Sequence, residues 1–267
     1  MTKRSAVVFG ATGLVGESLV RQLCEQEDYI SVTAIGRNAL AFKHAKLDQK
    51  IHSLDELTES DIRFAHDVFC CLGTTKKKAG SKEKFEKVDF EYPMSIASLA
   101  KNQRVQHFLV ISAMGASENA IAYYSRVKGK LEVELAKLDF PRLSIIRPSL
   151  LTGNRTEFRL GEKLGEKVLK VFNPLLIGGL KKYRSIEASQ VATAMIAIAL
   201  SEDKTPVKIY KSNELATLAI PKKVEEGKLD KETVFNWSKI NGEQHILEEE
   251  VMFDRSKIKT VDREKNE

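Results

Sequence analysis

The chain has 267 residues, with 43 Lys and Arg against 37 Asp and Glu and a net charge of +6. This length suits one α/β domain with additions, and the mild positive charge is scattered along the chain. The three cysteines and five histidines lack metal-ligand spacing, and the densest lysine run contains no aromatic residue. The composition therefore argues against a disulfide framework, a metal site and nucleic-acid binding.

The N-terminal sequence and the hydropathy favour a protein without a membrane segment. Lys3 and Arg4 are followed by a short apolar stretch, AVVF, before a glycine. That stretch is too short for the core of a signal peptide, and no apolar run reaches membrane-spanning length. We therefore expect a cytoplasmic protein with no membrane contact.

Short β-branched runs alternate with amphipathic stretches up to about residue 200. This alternation predicts βαβ units and a parallel sheet with helices on both faces. The predicted strands, in chain order, are SAVVFG, SVTAIG, HDVFCCLG, HFLVISAMGAS, RLSIIRPSLLTG and VKIYKS. The predicted helices are Leu14–Gln26, about 89–101, a segment that carries Tyr124 and Lys128, and SIEASQVATAMIAIAL.

The composition changes late in the chain. Residues 1–220 are predicted to form one domain, with substrate loops within about 149–185. After Pro221, Lys, Glu and Asp dominate and the periodicity weakens. We interpret residues 221–267 as a charged C-terminal extension, either a mobile tail or a docked helical arm. A homodimer contact and a protein partner are two uses that such an extension allows.

Three glycines follow the first predicted strand, in the stretch VVFGATGLVG. Gly10, Gly13 and Gly16 lie between a strand and a helix, the context in which such a triplet indicates a dinucleotide-binding loop. The first allows a sharp turn, the second lets the backbone approach a pyrophosphate, and the third lets helix and strand pack closely. Free N–H groups at the helix start then face the anion. A glycine-rich turn without a ligand is the alternative.

The second predicted strand ends in AIGRNAL. An enzyme specific for NAD usually has an acid at this point, to bind the ribose hydroxyls, whereas this chain has Arg37. A guanidinium attracts the extra phosphate of NADP, so we expect NADP(H) as the cofactor. The alternative is an arginine that merely caps the strand.

The stretch AYYSRVKGK places Tyr124 four residues before Lys128, so both side chains share one face of the predicted helix. A nearby cation lowers the pKa of a phenol from about 10 toward neutral pH, which suits proton transfer. Since such a pair also arises by chance, its meaning depends on the rest of the chain.

Six motifs together resemble the short-chain dehydrogenase/reductase superfamily: GATGLVG, AIGR, CCLGTT, VISAMGAS, YYSRVK and IIRPSLLTG. The resemblance covers about residues 5–219. It is closest to the atypical branch with the HIV Tat-interacting oxidoreductase-like proteins, through CCLGTTKKKAGSKEKFEKVDFEYP. It implies a Rossmann-like doubly wound sheet that binds a nicotinamide cofactor. The implied cofactor contacts are Gly10, Ala11, Thr12, Gly13, Leu14, Val15, Arg37, Leu72, Gly73, Thr74, Tyr124, Lys128 and Pro148.

The resemblance also implies catalytic roles. Tyr124 would exchange a proton with the substrate oxygen, and Lys128 would hold the nicotinamide ribose and favour the phenolate. Ser112 is the candidate that polarises the substrate oxygen, although Ala113 stands where many relatives have a second serine. The third strand, KIHSLDEL, is a second departure, because Ser53 replaces an acid that relatives tend to carry near the adenine.

The first hypothesis for function is an NADPH-dependent carbonyl reductase that acts on an unknown small molecule. The second is a non-catalytic protein of the NmrA-like kind that senses NADP(H), and the third is a nucleotide-sugar epimerase. The same fold supports many activities, so the choice depends on the site.

Five further residues have two interpretations each. Asp89 is either an acid at a helix start, where the dipole favours it, or a supporting residue of the site. Cys70 and Cys71 are interpreted as small core residues rather than redox centres. Arg155 and Arg159 are either solvated surface arginines or a clamp for an anionic group on the substrate.

Overall fold

The computed structural model describes residues 3–153 and 184–220, in which strands and helices alternate. Strands β1 to β9 are Arg4–Phe9, Tyr29–Gly36, Leu47–Ile51, Asp67–Cys70, His107–Ile111, Arg142–Arg147, Leu151–Thr152, Ile186–Glu187 and Val207–Lys211. Helices α1 to α8 are Leu14–Glu25, Glu59–Ile62, Lys76–Ala79, Lys82–Glu86, Tyr92–Asn102, Tyr123–Ala136, Ala188–Leu200 and Ser212–Leu218. A 3₁₀ turn, Leu54–Glu56, follows β3, and a π-helical turn, Lys87–Glu91, joins α4 to α5.

Seven of the described strands form one sheet in the order β3-β2-β1-β4-β5-β6-β9. Every pairing in it is parallel, and the strand order reverses between β1 and β4. The predicted Rossmann-like doubly wound fold is therefore confirmed. In such a sheet, ligands bind at the carboxyl ends of the strands beside the reversal, which here is the edge where the loops after β1 and β4 emerge.

Strand β1 shows why a continuous apolar run forms the centre of this sheet. Successive side chains of a strand point to opposite faces. Ala6 and Val8 pack with α1 and α7 on one face, whereas Val7 and Phe9 pack with α5 and α6 on the other. Because both faces are covered, the strand has no exposed side and no polar alternation.

The third strand differs from the prediction. It spans Leu47–Ile51 rather than residues 50–57, and its side chains are half-buried or exposed. As an edge strand it lacks the apolar pattern that locates a strand in a sequence. Ser53 lies beyond it and caps the 3₁₀ turn by accepting a hydrogen bond from the Asp55 N–H.

Two helices also begin elsewhere than predicted. The helix expected to start at about Asp89 starts at Lys82 and continues through the π turn to Asn102. The late helix starts at Ala188, because the residues before it form the short strand β8, which pairs with β7.

Part of the predicted organisation lies outside the described residues. The extension 221–267 lies there completely, as do Arg155, Arg159 and most of the predicted substrate loops at 149–185. Within the described ranges, no helix is long and apolar enough to cross a membrane.

A buried polar cluster lies at the amino-terminal edge of the sheet. Asp67 is completely buried, forms an ion pair with Arg4 at 2.8 Å and accepts a hydrogen bond from the Tyr29 hydroxyl at 2.7 Å. His107 lies with Nδ1 3.9 Å from Asp67 and with Nε2 2.8 Å from the Ser144 hydroxyl. Burial lowers the pKa of His107 to about 3, so this imidazole is neutral at pH 7.

The burial of His107 in this cluster predicts that the free energy of unfolding decreases in acid. The unfolded chain protonates His107 near the ordinary pKa of 6.5, whereas the folded chain resists protonation down to a pKa of about 3. The contribution of His107 to stability is therefore complete above pH 6.5 and falls as the pH decreases, by about 3 kcal/mol down to about pH 4.5. Urea unfolding at a series of pH values measures this slope. His107→Asn should make it shallower, and an unchanged slope in the variant contradicts the assignment.

Candidate functional site

The turn after β1 has room for backbone only. Gly10 has a φ of +77°, and a Cβ added to it would lie 2.6 Å from the Cys71 carbonyl oxygen. A Cβ on Gly16 would lie 2.1 Å from the Gly10 carbonyl oxygen, and one on Gly13 would lie 3.2 Å from the same atom. Glycine is therefore required at the first and third positions, and the turn has the tight form that the sequence predicts.

The N-terminus of α1 presents backbone amides. Its N-cap residue, Gly13, makes no side-chain cap, and the first helical bond runs from the Glu17 N–H to the Gly13 carbonyl at 2.9 Å. The amides before Glu17 lack an intrahelical acceptor. Thr12 and Gly13 are exposed, whereas Ala11 and Val15 are buried, so the turn offers an anion mainly backbone N–H groups and the positive end of the helix.

Arg37 follows β2 and is exposed. Its guanidinium has no hydrogen bond or ion pair among the described residues. The loop after it is held by Gln49 of β3, whose side chain binds the Leu40 N–H at 2.7 Å and the carbonyls of Leu40 and Phe42 at 3.3 and 3.2 Å. The arginine thus stands on a fixed loop with its charge available, and the contacts expected of a strand cap are not found there.

The loop after β4 is tied to Asp89. The Thr74 N–H donates to Asp89 Oδ2 at 2.8 Å, Gly73 is exposed, and Leu72 is half-buried. Asp89 is completely buried and lies inside a helical run that begins several residues earlier. The interpretation of Asp89 as an acid at a helix start is therefore wrong, and its contacts are those of a supporting residue.

Lys128 is buried and forms an ion pair with the same acid. Its Nζ lies 2.9 Å from Asp89 Oδ1 and donates to the Ile111 carbonyl at 3.2 Å. Asp89 Oδ1 accepts no hydrogen bond of good geometry from the described residues, so this contact is an electrostatic pair. Burial by itself lowers the pKa of Lys128, but the neighbouring charges, Asp89 first, hold the pKa above its usual value. The ammonium therefore stays charged.

Tyr124 lies on the same helix, with its ring centroid 5.7 Å from that of Phe85. Although 41% of the residue is exposed, burial is the main cause that raises its pKa. The Lys128 ammonium lowers the pKa, and the Asp89 carboxylate raises it again. The Lys128 ammonium thus lowers the pKa as expected, but burial, supported by the Asp89 carboxylate, outweighs it, so the net shift of the Tyr124 pKa is upward.

Ser112 is engaged by a different partner. Its hydroxyl is buried and donates to the Glu132 carboxylate, which also binds the Arg147 guanidinium at two points, one of them Nε to Oε1 at 2.9 Å. Ala113 follows it and is buried as well. The hydroxyl that was expected to polarise a substrate oxygen is thus held by an acid of α6.

The loops after β5 and β6 meet beside α6. Pro148 directly follows β6, is buried, and accepts a hydrogen bond from the Met114 N–H at 3.1 Å. Gly129 follows Lys128, and a Cβ on it would lie 2.1 Å from the backbone carbon of Ser117. This close approach holds the loop after β5 against the helix that carries Tyr124 and Lys128.

Three contributors to the site are absent from the sequence prediction: Phe85, Glu132 and Gln49. Phe85 is an apolar residue in a lysine-rich stretch, and Glu132 and Gln49 are polar residues in a helix and an edge strand. Polar residues in such positions are usually solvated, and one Phe among lysines forms no periodic pattern, so no local signal distinguishes these three residues.

A sequence family described as NAD(P)H-binding matches residues 10–202. Protein HTATIP2 of Rattus norvegicus is 38% identical over 172 residues, which cover 62% of this chain and 71% of that protein. Protein FMP52, mitochondrial, of Eremothecium gossypii is 32% identical over 219 residues, which cover 80% of this chain and 96% of that protein. These matches confirm the resemblance that the motifs indicate.

Solved structures give the same fold. The UDP-N-acetylglucosamine 4-epimerase from Methanobrevibacter ruminantium has a TM-score of 0.60 at 18% identity, over 81% of each chain. MoeE5 in complex with UDP-glucuronic acid and NAD also has a TM-score of 0.60, at 14% identity, over 80% of this chain and 81% of that one. At such identities the likeness concerns the fold alone.

The relatives contradict the predicted cytoplasmic location. FMP52 proteins of Eremothecium gossypii, Meyerozyma guilliermondii, Debaryomyces hansenii and Scheffersomyces stipitis are named mitochondrial. The prediction rested on a short N-terminal apolar stretch and the lack of a long apolar run, and neither feature distinguishes the cytoplasm from a mitochondrion.

The contact at Gly129 predicts a stability defect. Gly129→Ala should lower the free energy of unfolding by about 2 kcal/mol, because the added methyl overlaps the backbone at Ser117. Gly36→Ala is the matched control, since a Cβ there has nothing within 4 Å. Thermal unfolding of both variants checks the difference, and equal stabilities would show that the loop after β5 moves aside freely.

Proposed function

Since the chain belongs to the NAD(P)H-binding family, we propose that it is an NADPH-dependent oxidoreductase that reduces a carbonyl group on a small molecule. One observation carries this proposal. Lys128 is held by Asp89 and by the Ile111 carbonyl at the end of β5, and Asp89 also binds the loop after β4. The charges of Lys128 and Asp89 both affect the pKa of Tyr124. In this proposal the Lys128–Asp89 pair links the proton donor, Tyr124, to the edge of the sheet where the nucleotide-binding loop lies.

The residues after β1 fit a dinucleotide. Gly10 and Gly16 leave no space for side chains, and the amides at the start of α1 suit the pyrophosphate. When bound, a reduced nicotinamide supplies the hydride for the carbonyl carbon. The available guanidinium of Arg37 supports NADPH over NADH, because it attracts the additional phosphate.

In this proposal Tyr124 gives its proton to the substrate oxygen, which becomes a hydroxyl, and then regains a proton from water. Lys128 acts on Tyr124 through its charge. Its ammonium is paired with Asp89 at 2.9 Å and donates a hydrogen bond to the Ile111 carbonyl. Because the residue is 1% exposed, this burial favours an electrostatic role over a direct contact with the nicotinamide ribose.

A second candidate is a protein that senses NADP(H) without turnover. The bond between Ser112 and Glu132 favours it, because the hydroxyl expected to polarise the substrate oxygen is occupied. Ala113 replaces the second hydroxyl found in many related enzymes. Tight NADPH binding without any turnover that depends on Tyr124 would support this candidate against the reductase.

We infer a mitochondrial location from the names of the FMP52 relatives. Import of the radiolabelled chain into isolated mitochondria, with protection from added protease, tests this. A chain that stays protease-sensitive in the supernatant contradicts it.

Arg37→Ala should raise the dissociation constant for NADPH about tenfold or more and leave that for NADH nearly unchanged. Fluorescence titration of the reduced cofactors measures both constants. Arg63→Ala, an exposed arginine in the loop before β4, is the control. Equal or tighter binding of NADH by the unaltered protein, insensitive to Arg37→Ala, would rule out NADP(H) selectivity.

Tyr124→Phe should abolish NADPH consumption with a panel of aldehydes, ketones and quinones and retain cofactor binding, because only the proton donor is lost. Tyr123→Phe is the matched control, since that neighbour has its hydroxyl 3.5 Å from the Lys82 carbonyl, on an exposed surface. Equal activity in both variants contradicts the assigned role of Tyr124.

A further inference from the structure

Asp89 joins two parts of the site with its two oxygens. Oδ1 lies 2.9 Å from Lys128 Nζ, and Oδ2 accepts the Thr74 N–H at 2.8 Å. The acid therefore holds the loop after β4 and the lysine of α6 at the same time. It belongs to the π turn, and such turns often occur at functional sites.

The ion pair is sealed from water. The side chains of Lys128 and Asp89 are 2% and 0% exposed. Charges interact more strongly in such surroundings than in water, so a group beside the pair responds to the balance of both charges. A lone buried ammonium would favour the phenolate form of a neighbouring tyrosine, whereas a paired one does so much less.

Within residues 3–153 and 184–220, two charged groups act on Tyr124, Lys128 and Asp89. Phe85 packs against its ring from α4. Cys70 faces the pair from β4 as a neutral thiol, because burial raises its pKa to about 11. The raised pKa of Tyr124, caused first by burial and supported by Asp89, agrees with this geometry.

We propose that Asp89 is a positioning residue that offsets part of the charge of Lys128 at Tyr124 and so helps to keep Tyr124 a proton donor. Around neutral pH the site then favours carbonyl reduction, which consumes a proton from Tyr124, over alcohol oxidation, which requires the phenolate. The inference rests on the proposed function for its catalytic meaning. The effect of the charges on Tyr124 itself requires neither cofactor nor substrate.

The test is the titration of Tyr124 in the ligand-free protein. Tyrosine labelled with ¹³C in the ring reports ionisation by NMR, and Tyr124→Phe assigns the signal. Asp89→Asn removes the charge but keeps an oxygen for the Thr74 N–H. We expect its Tyr124 midpoint to fall by about 1 pH unit or more, because the ammonium is then uncompensated.

Two further variants separate charge from structure. Asp89→Asn combined with Lys128→Met removes both charges, so the Tyr124 midpoint should return toward that of the unaltered protein. Asp67→Asn is the matched control, because it removes a buried carboxylate at the opposite edge of the sheet, and it should leave the midpoint unchanged. An unchanged midpoint in Asp89→Asn, or an equal fall in the double variant, overturns the proposal.

Asp89→Asn leaves a buried ammonium unpaired and can therefore impair folding. Circular dichroism checks this. If that variant does not fold, Lys128→Met alone should raise the Tyr124 midpoint, and an unchanged midpoint then overturns the proposal. With turnover, the loss of reductase activity at high pH should begin at a lower pH in Asp89→Asn. Without turnover, the proposed function fails while the titration still decides the role of Asp89.

Discussion

The buried ion pair between Lys128 and Asp89 is the interaction on which the site depends. Removing two charges from water costs several kcal/mol per ion, and only close pairing with further hydrogen bonds offsets that cost. Here the further partners are the Ile111 carbonyl and the Thr74 N–H. The pair therefore fixes α6, the π turn and the loops at the carboxyl edge of the sheet relative to one another. Any movement of one of these elements leaves a charge buried without its partner.

Close backbone contacts determine where the pair can form. Gly10 and Gly16 let β1, α1 and the loop after β4 meet, and Gly129 lets α6 approach the loop after β5. Because Gly129 directly follows Lys128, the contact that brings the helix close also brings the lysine to the sheet edge. Packing and electrostatics thus depend on the same short segment of α6.

The remaining polar side chains of the site are of two kinds: held ones, which are bound to another side chain, and available ones, which are exposed and unpaired among the described residues. Ser112 and Arg147 are both bound to Glu132, whereas Arg37 is exposed on a loop that Gln49 fixes. The held groups join the loop after β5 and the end of β6 to α6, whereas the exposed guanidinium of Arg37 keeps its charge unpaired among the described residues.

The sequence by itself determined the doubly wound sheet, the glycine turn at Gly10 and the shared helical face of Tyr124 and Lys128. These features depend on local spacing: apolar runs, a glycine triplet and a four-residue interval. Tertiary structure alone decided that Asp89 reaches Lys128, that Glu132 holds Ser112, and that the pKa of Tyr124 rises. The edge strand β3 was also displaced from its predicted position, because an edge lacks the apolar pattern of a buried strand. Partners distant in the chain meet only through folding, and burial gives their charges effects that no residue spacing records.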